Sequence, residues 1–75
     1  MKIADYPTYV VEYRELETDK VLYKHFIRFN EKDAAVPERA GDKIFVDGFE
    51  YEIKMIVRDV SVRHNTITFI VYLIK

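Results

Sequence analysis

The side chains that most often act as nucleophiles or imidazole bases are few in this sequence: His25, His64 and the single serine, Ser61. A Ser-His-Asp triad places its nucleophile beside a base, and one common local signature is a Gly-x-Ser-x-Gly turn. No such turn surrounds Ser61, and neither histidine has a second ligand-type residue at metal-binding spacing. We therefore expect no catalytic residue, no metal site and no cofactor, and we predict that the protein is not an enzyme.

Four carboxylates lie close together in the sequence: Asp42, Asp47, Glu50 and Glu52. A calcium loop places oxygen ligands at alternate residues, with a glycine at the sharp turn. Here apolar residues 44–46 occupy positions where ligands would be needed. Glu50 and Glu52 share one face of a predicted strand and could act as an acid/base pair, but a solvated strand face explains them more simply.

Basic residues also lie on segments that are rich in tyrosine and phenylalanine, and such combinations bind single-stranded nucleic acids on small barrels. The candidates for this alternative function are Lys24, Phe26, Arg28, Arg58 and Arg63. Any aromatic-rich β domain offers a similar pattern, so a nucleic-acid-binding β-barrel is the second hypothesis. Phe26 and Phe45 fall on polar strand faces, which makes them better candidates for contact than the aromatics that are predicted to be core.

The residues above must be positioned by strands, and the clearest pair surrounds Asp47-Gly48. An Asp-Gly pair between alternating apolar residues predicts a two-residue hairpin with φ > 0 at both turn positions. This turn pairs Val46 with Phe49 and Ile44 with Tyr51. Side chains alternate along a strand, so one apolar face is predicted. It contains Ile44, Val46, Phe49, Tyr51, Ile53, Met55 and Val57.

Two earlier strands are predicted over residues 8–16 and 21–29, joined by a polar turn at 17–20. A register that places Tyr13 opposite His25 and Val11 opposite Ile27 keeps the apolar face continuous. Residues 30–42 break the strand pattern. We interpret them as a surface loop that crosses between sheet edges, with a single short helix in 31–40 as the α+β alternative.

Beyond Val57 the apolar positions change from odd to even numbers. A two-residue turn at His64-Asn65 would make the two last strands switch faces together, near Arg58–Asp59 and Ile70–Val71. Such a switch predicts a bulge or bend that curls the sheet. Three residues are then apolar on the opposite face, and with Phe45 they are the predicted protein-interaction residues. The three are Ile56, Val71 and Leu73.

Composition limits the class of protein. With 75 residues the chain is predicted to be a single small β domain over residues 1–75, and six tyrosines and five phenylalanines favour strands over disorder. A net charge of −1 indicates neither a strongly cationic nucleic-acid binder nor an acidic mimic. The absence of cysteine, of a secretory signal and of a long apolar run predicts a cytoplasmic protein without membrane contact.

The segments 41–44 and 47–53 together resemble the opening hairpin of SH3-like and other small barrel modules, where a Gly-Asp turn leads into a strand. The resemblance implies fold alone. The sequence thus predicts an all-β domain of five antiparallel strands in a small, partly open barrel or coiled sheet.

The leading functional hypothesis is a non-enzymatic binding module that acts through protein–protein contacts, such as an accessory protein of a phage or mobile element. Self-association into a homo-oligomer is one version of this hypothesis. It would use the final strand as a sheet edge, or the face of Ile56, Val71 and Leu73.

Overall fold

The computed structural model describes residues 7–27 and 39–75, which form one sheet of five strands. The strands are β1 (Thr8–Glu15), β2 (Val21–Ile27), β3 (Lys43–Val46), β4 (Phe49–Ser61) and β5 (Thr66–Ile74). The sheet curls into a nearly closed barrel, and the described residues contain no helix. The predicted all-β barrel is confirmed. The alternative helix in 31–40 lies outside the described residues, apart from positions 39 and 40.

The strand order is β2-β1-β5-β4-β3, so the last strand of the sequence lies at the centre of the sheet. Three neighbouring pairs are antiparallel, as predicted, but β1 and β5 run parallel, from Thr8 beside Thr66 to Glu15 beside Leu73. The long connection between these strands makes a parallel crossover feasible. Because β5 is paired on both sides, the prediction that it serves as a free edge for self-association is wrong.

The turns of the three hairpins each contain a residue with positive φ. Asp47 and Gly48 have φ of 52° and 82°, and the β3–β4 register pairs Val46 with Phe49, which confirms the predicted hairpin. Asn65 (φ 49°) ends the β4–β5 turn in the left-handed region, as asparagine does readily. Asp19 adopts the same conformation (φ 62°) within the polar turn that is predicted at 17–20 between β1 and β2.

A β-bulge at Lys54 produces the change of apolar phase, and its position differs from the predicted one. Ile53 pairs with Leu73 and Met55 pairs with Tyr72, so Lys54 is the extra residue. The β4–β5 turn has four residues, 62–65, and the face switch occurs in β4 alone. An extra residue in one strand reverses the inward and outward positions that follow it.

The inner face of the barrel contains the apolar core. Five buried residues form one cluster: Val11, Tyr51, Ile53, Val71 and Leu73. Inward-facing Ile56, beyond the bulge, packs against this cluster, whereas Met55 and Val57 face outward and are exposed. Phe49, predicted as core, is 61% exposed because its hairpin end extends beyond the last β4–β5 pair.

The first hairpin forms with a register two residues away from the predicted one. Val11 lies opposite His25, and Tyr13 lies opposite Tyr23. A shift of two residues leaves the side chains of residues 23–26 on their predicted faces. A bulge near the turn leaves Leu22 without an opposite residue, because Arg14 pairs with Val21.

Candidate functional site

Among the described residues, the barrel is open between its two end strands, β2 and β3. A groove of about 360 Å³ lies between them, and we call this groove the seam. The seam is lined by Tyr13, Leu22, Tyr23, Ile44, Phe45, Val46 and Asp47. Its volume falls within the range of about 300–1,000 Å³ that is usual for ligand sites.

On the β2 side, the seam is aromatic. The rings of Tyr13 and Tyr23 are 6.2 Å apart, and the Tyr23 ring stacks on His25 with centroids 6.3 Å apart and planes inclined by 12°. Leu22 reaches the core cluster, because the bulge in β2 removes it from the regular alternation. Tyr23 and His25 remain exposed at the rim because no further strand covers them in the described structure.

On the β3 side, the seam is aliphatic toward the core and aromatic at the rim. Ile44 and Val46 pack against the core cluster, whereas Phe45 faces the opposite side and is 68% exposed. Asp47 begins the hairpin turn at the end of this strand and is the single charged residue among those that line the seam. No salt bridge of Asp47 is found within the described part of the chain.

Backbone groups add to the chemistry of the seam. An end strand directs the N–H and C=O of alternate residues away from its neighbour. Within residues 7–27 and 39–75, β2 bonds only to β1 and β3 only to β4 in the sheet, so both strands present unpaired edges toward the seam. The site therefore combines two hydrogen-bonding edges with an apolar floor.

The predicted interaction residues divide between core and seam. Val71 is fully buried (0%), Leu73 is 1% exposed and Ile56 is packed against them, so this set forms the inner face. The prediction of a docking face here is wrong, because the bulge turns Ile56 toward the same interior as Val71 and Leu73. Phe45, by contrast, lies at the seam.

The predicted nucleic-acid residues do not form one surface. Lys24 and Phe26 lie on the outer face of β2, opposite Glu12 and Val10, whereas Arg58 lies opposite inward-facing Phe69. Arg63 is exposed in the β4–β5 turn, and Arg28 lies outside the described residues. No single groove therefore brings these cations together with exposed aromatic rings in the part of the chain that is described.

Lys24 is also engaged in an ion-pair network with Glu12, which is 6% exposed. Its Nζ lies 3.8 Å from Glu12 Oε1, Arg14 Nη2 donates to Glu12 Oε2, and Arg14 Nη1 donates to Asp19 Oδ1 at 3.0 Å. The hydrogen bonds to Glu12 and then Asp19 raise the pKa of the Arg14 guanidinium above its usual value. This network supplies partners for a buried carboxylate, which is a structural role.

The residues considered for catalysis are scattered. His25 lies on β2, whereas His64 lies in the β4–β5 turn, where the backbone N–H of His64 donates to Ser61 Oγ at 3.4 Å. Glu50 and Glu52 share the outer face of β4, and neither lines the seam. Among the described residues there is no group of three histidine, cysteine or acidic residues that could hold a metal ion.

A second cavity, of about 180 Å³, lies beside Glu15, Glu17 and Lys75. Glu15 Oε1 accepts a hydrogen bond from the Thr18 hydroxyl at 2.6 Å, and the Tyr51 hydroxyl lies 3.5 Å from Oε2. Since Glu15 already has these partners, the smaller cavity is a weaker candidate than the seam.

Sequence reasoning missed the seam, because its lining residues look like ordinary core and strand residues. An edge is defined by strand order, which local alternation does not determine. One usable signal was the shortness of β3, four residues between two turns, because short strands are common at sheet edges.

The described residues contain no helix that is long and apolar enough to cross a membrane. Comparison of the chain with protein-family models, with curated proteins and with solved structures finds no match.

Proposed function

We propose that this protein is a non-enzymatic binding module that acts through protein–protein contacts, and that the seam is its binding site. The observation that supports this most directly is the pair of strand edges that face each other across an apolar groove and have no partner strand among residues 7–27 and 39–75. Exposed strand edges are templates for another chain, and a closed barrel would remove them.

The side chains at the seam support the same function. Exposed apolar residues that cluster at one place indicate an interaction surface, and buried aromatic side chains often dominate binding free energy. Phe45 and Tyr23 are large, exposed and on opposite sides of the groove, with the aliphatic floor between them. They have the chemistry and position to close over a bound partner.

The partner can be another protein or a second copy of this chain. Self-association would now require the edge of β2 or of β3, since β5 is central and Val71 and Leu73 are core. We propose a cytoplasmic location, because a chain without cysteine suits a reducing compartment. We also propose that it is an accessory protein with an SH3-like barrel.

The test begins with selection of random twelve-residue peptides on the immobilised protein, followed by affinity measurement in solution. Phe45→Lys should weaken the selected peptides about five- to thirtyfold, the range expected for loss of an aromatic anchor. Phe49→Lys is the matched control, because Phe49 is similarly exposed on the same hairpin but does not line the seam. It should change affinity less than about twofold.

Failure to enrich any peptide would contradict the proposed function. Equal affinity of the selected peptides for the wild type and Phe45→Lys would contradict the placement of the site. Sedimentation at several concentrations identifies the self-associating version, in which Phe45→Lys should also abolish the dimer.

A further inference from the structure

The direction of the strands determines how a chain could enter the seam. β2 is antiparallel to β1, β1 is parallel to β5, and two further antiparallel steps lead through β4 to β3. β2 and β3 therefore run in opposite directions across the seam. A strand inserted between them is antiparallel to one edge and parallel to the other. The existing β1–β5 pair shows that this sheet accommodates a parallel neighbour.

The lengths of the two edges favour one orientation. β2 has seven residues and β3 has four. Antiparallel pairing is slightly more stable per residue than parallel pairing. An inserted strand gains more pairing free energy when the longer edge provides its antiparallel partner. It should therefore run antiparallel to β2 and parallel to β3.

The side chains of the seam select an alternating sequence. Leu22, Ile44 and Val46 line the groove and pack against the core cluster. Every second side chain of an inserted strand would face this apolar floor, and the others would point outward beside the Phe45 rim. Apolar residues at alternate positions therefore fit the groove.

Asp47 adds a charge preference at one end. It is the one charged residue of the seam lining, and it follows the last residue of β3. A strand parallel to β3 has its C-terminal end near this carboxylate. Opposite charges at the rim of a binding site contribute mainly to register and specificity.

From these observations we propose that the seam binds an extended peptide segment as a sixth strand, hydrogen-bonded to both β2 and β3. The segment has apolar residues at alternate positions and a lysine or arginine toward its C-terminal end, against Asp47. This inference rests on the proposed function and specifies its ligand class. Strand addition is a known mode of peptide recognition, in which backbone bonds give affinity and side-chain pockets give specificity.

The test uses the peptides selected on the intact protein, remade with N-methyl groups at either the odd or the even backbone nitrogens. A strand between two edges uses both sets of N–H groups, so each methylated series should bind at least about tenfold more weakly. A strand added to a single edge would lose affinity in one series only. Hydrogen exchange monitored by NMR should show slower exchange at alternate amides of both β2 and β3 in the complex.

Asp47→Asn tests the charge preference without disturbing the turn, since asparagine also adopts positive φ. Selected peptides should show a lysine or arginine C-terminal to the apolar alternation. Replacing that residue with norleucine should weaken binding to the wild type about two- to fivefold and leave binding to Asp47→Asn unchanged.

The outcomes separate the ligand class from the site. One outcome is that peptides bind in a Phe45-dependent manner while one or both N-methylated series keep their affinity. That result would refute a strand that is hydrogen-bonded to both β2 and β3, and the binding site would remain. If peptides bind but none depends on Phe45, the placement of the site at the seam fails, and if no peptide is enriched at all, the proposed function itself fails. Selection of peptides without a basic residue would refute the charge preference. Selection of peptides with a basic residue at the N-terminal end would refute the orientation.

Discussion

Truncation of Leu73 to alanine distinguishes a core residue from an interface residue. Leu73 is 1% exposed and belongs to the buried cluster with Ile53 and Val71. Removing a buried leucine side chain costs about 2–5 kcal/mol, which combines lost burial with the cavity that remains. A chain of this length has a total stability of only about 4–11 kcal/mol. Leu73→Ala should therefore lower the Tm by about 8–40 °C.

The assays are thermal unfolding for the Tm and urea unfolding for the free energy, both followed by circular dichroism and repeated at two protein concentrations about fiftyfold apart. Val62→Ala is the control, since Val62 is 88% exposed and its truncation should change stability by less than about 0.5 kcal/mol. For a core residue, the loss in Leu73→Ala is the same at both concentrations. A loss that shrinks on dilution would show that Leu73 stabilises an interface between copies, because association stabilises the wild type less at low concentration. A small loss at both concentrations would show that Leu73 is not buried. Either result would refute our assignment of the inner face.

Three further substitutions or titrations test other features. Gly48→Ala should cost about 1–2 kcal/mol, because Gly48 has φ of 82° and an added Cβ meets no atom within 4 Å; a much larger loss in urea unfolding would indicate a steric clash. Glu12→Gln should cost about 1.5–3 kcal/mol by the same assay, because the guanidinium of Arg14 loses its buried charged partner; an unchanged midpoint would show that the pair adds nothing. Mixed oligonucleotides at low salt should leave the NMR signals of Lys24 and Arg58 unmoved, because these residues face different sides of the sheet; salt-dependent shifts would restore the nucleic-acid hypothesis.

Local chemistry was enough to predict the β3–β4 hairpin from the sequence. Asp47-Gly48 favours one turn type, and that turn fixes the pairing of Val46 with Phe49. The bulge was harder to locate. Residues on both sides of Lys54 are apolar, so alternation shows that the phase changes without showing where the extra residue lies. The choice of turn length at 62–65 then displaced the predicted register.

Strand order was not accessible from the pattern, and the candidate site depends on it. The pairing of β1 with β5 joins the two ends of the described chain, and no local signal specifies such a contact. Without this pairing, alternation alone assigns Val71 and Leu73 to a second apolar face and β5 to a sheet edge. The position of Phe45 among polar residues marks it as a candidate for contact, but its location at the seam follows only from knowing which of the described strands end the sheet.

The parallel pairing of β1 with β5 also determines when the protein can fold during synthesis. The strand that joins the N-terminal hairpin to the rest of the sheet is Thr66–Ile74, the last strand of the sequence. Contacts of such high sequence separation slow folding, because the chain loses entropy on closing a long loop before burial compensates. Until that strand leaves the ribosome, the β1–β2 and β3–β4 hairpins lack their common neighbour. The complete barrel is therefore expected to form only once β5 has been synthesised and has left the ribosome.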